Sequence, residues 1–208
     1  MVDINIIDEV EQQCEIDLDW FYHSTFYDKD KYLSILTEGI KCNELLHRSG
    51  AGVYNGKYYI SLSKITIPDN NCFLYYSTDT PSFIISGIEP IKCEGYEEYL
   101  KYINTKDSRR IGNFSDEYQY YYFIQNSHIK GIVYNLLEYF IIKDNSKKEN
   151  KFDVWIDKLK IEHLLELINI LDELDIEIPI YDYSRRDKLV AHEIDREKIK
   201  YYSKDILL

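Results

Sequence analysis

No Gly-x-x-x-x-Gly-Lys-[Ser/Thr] stretch occurs anywhere in the 208 residues. That excludes the phosphate-cradling loop of nucleoside-triphosphate enzymes. Gly50, Gly52 and Gly56 are spaced wrongly for a dinucleotide fingerprint and precede a strand-like segment, not a helix. A Gly-x-Ser-x-Gly elbow is missing, and so is His-Glu-x-x-His; His192-Glu193 has no second histidine in register. The four cysteines, at 14, 42, 72 and 93, include no Cys-x-x-Cys pair. His47 follows Cys42, but no second close pair completes a zinc site. Reduced, mostly buried thiols are therefore expected, with no disulfide framework and no metal. No uninterrupted apolar run approaches the ~18 residues that span a bilayer. The opening residues are acidic, without a basic stretch followed by an apolar core, so no secretory leader is expected. The expected location is the cytoplasm, or a host cell reached without such a leader. There is no internal repeat and no low-complexity tract.

Positive charge is also scarce. Lys and Arg number 25 against 37 Asp and Glu, a net charge of −12. A chain this acidic repels phosphate backbones at long range, so nucleic acid is not an expected partner. Arg109-Arg110, Lys147-Lys148 and Arg185-Arg186 are too short to outweigh that field. What is present is ordinary globular composition, 45% hydrophobic and 30% charged, enough for one domain with a full core. Tyrosine stands out with 21 copies. Together with abundant Ile, Lys and Asn this reads as AT-rich codon usage; a tyrosine-rich recognition surface is the alternative.

Trp20 to Phe26 is aromatic and β-prone, a strand by composition. A helix follows, with Asp28 as N-cap, Asp30 in its first turn, Tyr32, Ile35, Leu36 and Ile40 on helical spacing, and Gly39 at its end. Residues 41–57 read as a loop ending in the turn dipeptide Asn55-Gly56. Tyr58 to Lys64 alternates as a strand: Tyr59, Ser61 and Ser63 on one face, Ile60 and Leu62 on the other. Further strands are expected at Ser82–Ile88, Glu117–Phe123 and Ile129–Tyr134, and a charge-rich linker at 143–151. Asp157 to Leu174 is the clearest helix, with Ile161, Leu164, Leu165, Ile168 and Leu171 on one face and Pro179 beyond it. Strands at Ile180–Tyr183 and Lys188–Ile194 and a helix at Asp195–Tyr202 complete the chain. Strands crowd the middle and do not alternate with helices, which favours α+β over a doubly wound parallel sheet.

Three segments concentrate polar and aromatic residues that carry chemistry. They are Tyr22-His23-Ser24-Thr25 at a strand end, Tyr59-Ile60-Ser61-Leu62-Ser63, and Ser115-Asp116-Glu117-Tyr118-Gln119 with Ile129-Lys130-Gly131-Ile132 after it. The first helix closes in Ile35-Leu36-Thr37-Glu38-Gly39-Ile40. In this order, over residues 20–135, they resemble the ADP-ribosyltransferase superfamily, in particular small bacterial or phage toxins and effectors.

The resemblance implies a split pair of antiparallel sheets with flanking helices: an NAD-binding core over 15–135 and a C-terminal helix–strand extension over 136–208 packed on it. It implies a mono-ADP-ribosyltransferase that cleaves NAD at the nicotinamide–ribose bond and passes ADP-ribose to a macromolecular acceptor. The acidic charge favours a protein as that acceptor. Glu117 would accept a bond from the 2′-hydroxyl of the nicotinamide ribose, and Tyr59 would stack on the nicotinamide ring. His23 would bind the adenosine-side ribose, with Ser24 and Thr25 in the neighbouring backbone. Ser61 and Ser63 would line the ring pocket, and Arg48 would face the pyrophosphate. Departure of nicotinamide builds positive charge on the ribose, which an aimed carboxylate stabilises as it forms. NAD is then a substrate, and the chemistry asks for no metal.

Two departures qualify the pattern. Ser24 stands where many members carry glycine, and Glu117-Tyr118-Gln119 replaces the Glu-x-Glu of arginine-modifying toxins. Asp187 and Glu193 are the alternative carboxylates. The alternative functions are an NAD glycohydrolase, an RNA 2′-phosphotransferase, or a binding protein without catalysis. Without the family pattern, His23 reads as an ordinary core or surface histidine, Ser61 and Ser63 as the solvent face of an amphipathic strand, and Glu117 as an exposed strand-start charge.

Overall fold

A computed structural model describes residues 5–15, 17, 19–47, 58–65, 81–92, 115–134, 136–143, 150–156, 158–183 and 191–207. Its helices are α1 (Asn5–Val10), α2 (Lys29–Glu38), α3 (Lys158–Glu173) and α4 (Arg196–Leu207). Its strands run β1 (Glu11–Cys14), β2 (Phe21–Ser24), β3 (Ile40–Lys41), β4 (Tyr59–Ile65), β5 (Ser82–Ile85), β6 (Ile91–Lys92) and β7 (Ser115–Tyr121). They continue with β8 (Phe123–Ile124), β9 (Ile129–Tyr134), β10 (Leu137–Lys143), β11 (Asn150–Ile156), β12 (Ile180–Asp182) and β13 (Ala191–Ile194). The class is α+β.

α2 forms where its caps dictate. The Asp28 carboxylate accepts from the Lys31 amide at 2.8 Å, and Gly39, at φ 96, donates its amide to the Ile35 carbonyl at 2.9 Å. Only glycine takes that backbone freely, and a Cβ there would meet the Ile124 carbonyl at 2.3 Å. Asn126 closes the same helix end by donating to the carbonyls of Leu36 and Thr37, at 3.2 and 3.0 Å. Ile40 therefore leaves the helix and begins β3, paired with Ile124.

Nine strands form one hydrogen-bonded sheet in the order β1-β13-β12-β9-β5-β2-β4-β7-β6. Every pairing in it is antiparallel except β9 with β12. A parallel neighbour needs a long crossover, and the connection through α3 supplies it. This differs from the expected split pair of sheets. The reason is β2, which pairs with β5 along all four residues and with β4 through Phe21 and Tyr22, and so joins what would otherwise be two halves. The segment after 136 is likewise woven in: β12 and β13 extend the main sheet, and β1 from the N-terminal end closes onto β13.

Strict alternation along β5 decides the packing. Phe83 and Ile85 join the large core with Ile60, Leu62, Ile132 and the buried faces of α2 and α3, while Ile84 joins a second cluster with Tyr22, Val133, Tyr181 and Tyr183. Ile161, Leu164, Leu167, Ile168 and Leu171 of α3 are wholly buried, each contributing roughly 1.5–3 kcal/mol. Tyr27 ties α3 to the chain leaving β2. Its hydroxyl donates to Glu166 at 2.6 Å, and its ring stacks on His163 at 4.4 Å. Two further two-stranded sheets are β3–β8 and β10–β11. The linker expected over 143–151 has strand at both ends, since Lys143 pairs with Asn150. The thiols of Cys14 and Cys42 are free; Cys72 and Cys93 lie outside the described residues. Among the described residues, no helix is long and apolar enough to cross a membrane.

Candidate active site

The first two segments and Ser115–Gln119 of the third occupy β2, β4 and β7, which are adjacent in the sheet; Ile129–Ile132 lies on β9, beyond β5. Ser63 stands opposite Glu117, Ser61 opposite Gln119 and Tyr59 opposite Tyr121. In an antiparallel pair, opposite residues share a face with Cβ atoms roughly 4.5–5.5 Å apart. One face of the β4–β7 pair thus carries positions 59, 61, 63, 117, 119 and 121. Tyr59 lies four residues from Ser63, about 13 Å along the strand. It is the far rim of this face, while Ser61, Ser63 and Glu117 form its nearer part.

β2 forks away from β4 at His23. Phe21 pairs with Lys64 and Tyr22 with Ser63, and there the ladder stops. The Ser61 carbonyl, next along β4, accepts instead from the imidazole of His23, with Nδ1 at 3.0 Å. A carbonyl only accepts, so Nδ1 carries the proton and neutral His23 presents Nε2 as an acceptor. Nε2 has no hydrogen-bond partner among the described residues. Burial pushes the imidazole pKa down; the Ser61 carbonyl opposes that, and the charge of Lys31 adds to it. His23 is therefore neutral at pH 7. The pleat starts His23 on the face opposite Ser63, so its side chain reaches β4 through the main chain at the fork, not across the face of 61, 63 and 117.

Ser24 and Thr25 are engaged in holding the fork. Ser24 Oγ lies 2.8 Å from Ser82 Oγ, binding the end of β2 to β5. Thr25 is buried; its amide donates to the Pro81 carbonyl at 3.1 Å, its hydroxyl accepts from Lys31 Nζ, and its carbonyl accepts from the Tyr32 hydroxyl. Ser63 is half-buried, and its hydroxyl donates to the Tyr22 carbonyl at 3.4 Å.

Sequence reasoning passed over Lys31. It lies in the first turn of α2, and its ammonium is held against Thr25 where its field reaches His23. The available signal was position: a cation in the first turn of a helix that begins five residues after the histidine strand ends. Arg48 and Asp187 lie outside the described residues. Glu193 is exposed on β13, six strand steps from β7, roughly 29 Å across the sheet. Among the described residues no group of three or more His, Cys, Asp or Glu could hold a metal ion.

His23 Nε2, a neutral acceptor, and the Lys31 ammonium thus lie by the fork of β2 and β4, while Ser63 and position 117 share the opposite face of the sheet beside it. Such a place suits a polar ligand with hydroxyls to donate and an anionic group to neutralise. No family model, no curated protein and no solved structure matches this chain.

Proposed function

We propose that the protein is a mono-ADP-ribosyltransferase acting on a protein acceptor. One observation carries the reading: the first two segments and Ser115–Gln119 of the third, which lie far apart in the chain and together resemble the superfamily, fall on neighbouring strands, with Ser63 opposite Glu117. A chance likeness of three short segments carries no requirement that their strands be adjacent.

In this reading NAD lies across the edge where β2 and β4 part, reaching His23 on one side and the face of Ser63 and Glu117 on the other. The bond from the nicotinamide nitrogen to ribose C1′ breaks, and nicotinamide leaves with the electron pair, neutralising its ring charge. Glu117 accepts a hydrogen bond from the ribose 2′-hydroxyl and stabilises the cationic ribose. Ser61 and Ser63 line the ring pocket, and Tyr59 stacks on the nicotinamide ring from the rim. Neutral His23 accepts from a ribose hydroxyl through Nε2. Lys31 faces the pyrophosphate, with Arg48 as its expected partner. An acceptor side chain then bonds to C1′ and releases its proton to solvent.

The net charge of −12 favours a protein over nucleic acid as acceptor. A role as a toxin or effector that modifies host proteins fits the same picture by analogy. The test is mass spectrometry of host proteins incubated with the enzyme and NAD. A discrete target should gain one ADP-ribose. Nicotinamide release with water as the only acceptor would make the protein a glycohydrolase, and silence from folded protein would leave a binding protein.

A further inference from the structure

Tyr121 ends β7 and Tyr122 follows it, with 55% and 51% of their surface exposed, and Tyr58 beside them exposes 45%. The Tyr122 ring meets Tyr58 edge-on with centroids 6.1 Å apart and lies 6.5 Å from Tyr121. Contiguous exposed aromatics of this kind mark interaction sites on soluble domains.

The backbone under them is fixed and strained. Tyr122 has φ 62, a left-handed conformation rare for an aromatic residue. It is held there by two main-chain bonds: its amide donates to the Tyr58 carbonyl at 2.9 Å, and the Cys42 amide donates to its carbonyl at 2.8 Å. Asparagine or glycine would take this position with less strain, so the tyrosine ring is displayed at a cost to the fold. Tyr121 stands opposite Tyr59, so position 121 continues the face of positions 61, 63, 117 and 119.

Charge chooses the occupant. The faces of tyrosine rings are electron-rich and attract cations, arginine above all. The chain carries −12 overall, which draws a cationic segment in and repels a phosphate backbone. We propose that Tyr58, Tyr121 and Tyr122 form a docking platform for an arginine- or lysine-rich segment of a partner protein, laid at the end of the β4–β7 pair that carries Ser63 and Glu117. That this segment belongs to the ADP-ribose acceptor rests on the transferase reading; the binding itself does not.

The experiment uses the full chain with a labelled peptide of alternating arginine and serine and a labelled oligothymidylate of equal length. Binding is followed by fluorescence anisotropy at about 0.15 M salt, where long-range attraction is largely screened. Wild type is compared with Tyr121→Ser/Tyr122→Asn and with Tyr58→Ser, each checked for thermal unfolding. The peptide should bind, and the double variant should weaken it about tenfold or more. Nicotinamide release from NAD without acceptor should persist in both variants. Equal peptide binding by wild type and variants would reduce the effect to general charge attraction and overturn the platform. So would no peptide binding, or a preference for the oligonucleotide. If the double variant does not fold, Tyr121→Ser alone gives the same reading. Peptide binding that survives in a Glu117→Gln protein without NAD turnover separates this proposal from the catalytic one.

Discussion

His23 Nδ1 lies 3.0 Å from the main-chain oxygen of Ser61, taking up a carbonyl that the β2–β4 ladder leaves behind when the strands part. The imidazole pKa is lowered by burial. Its folded value therefore lies below the ~6.5 of an unfolded chain, and the unfolded state binds more protons in the window between them. Stability should fall as pH drops from neutral through that window. His23→Gln, which keeps a donor for Ser61, should flatten that part of the profile. Urea unfolding between about pH 5 and pH 7.5 checks this. Parallel profiles for the two proteins would show that His23 titrates normally.

The Tyr27–Glu166 bond should be measurable as a coupling. The Tyr27 hydroxyl, then Lys29, holds the Glu166 carboxyl below the usual carboxylate range. Glu166 is 42% exposed, so solvent screening reduces a charge-assisted bond to about 1 kcal/mol or less. A double-mutant cycle of Tyr27→Phe and Glu166→Gln should return that value near pH 7. Because the folded pKa is depressed, the contribution is present above the unfolded value near 4.3 and disappears as pH falls through the folded one. A coupling that stays constant into strong acid would mean that the Tyr27 hydroxyl bonds the protonated carboxyl as well as the carboxylate.

Gly39→Ala should be among the most damaging single-methyl changes in the chain. The new Cβ would meet the Ile124 carbonyl at 2.3 Å, at a φ of 96. The expected loss is about 2 kcal/mol or more, read as a shifted urea midpoint with an unchanged slope. Asn126→Ala, which removes two bonds to the same helix end, should cost about 1 kcal/mol. A neutral Gly39→Ala would mean that β3 and β8 do not close on α2 as described.

These local features were legible in the sequence because their causes are local. Asp28 and Gly39 mark the ends of α2 by their own capping chemistry, and α3 shows its buried face in its spacing. The alternation of Tyr59 to Ser63 told which residues share a face. Pairing order was not legible, since it depends on residues far apart: Cys14 lies opposite Ala191, and β2 takes partners on both sides. Hence one continuous sheet stands where two were expected. β10 and β11 were overlooked because the charged residues between them dominate that stretch. Lys31 and the Tyr121–Tyr122 pair escaped notice because an ordinary lysine and a tyrosine in a tyrosine-rich chain acquire meaning only from position.

The proposed role of Glu117, opposite Ser63 and near the fork at His23, is NAD cleavage. The direct test is nicotinamide release from NAD by wild type, Glu117→Gln and Glu193→Gln, each shown to be folded. Turnover in wild type and in Glu193→Gln, reduced at least ~100-fold in Glu117→Gln, is the predicted result. Turnover that survives in Glu117→Gln, or is lost in Glu193→Gln instead, would contradict it.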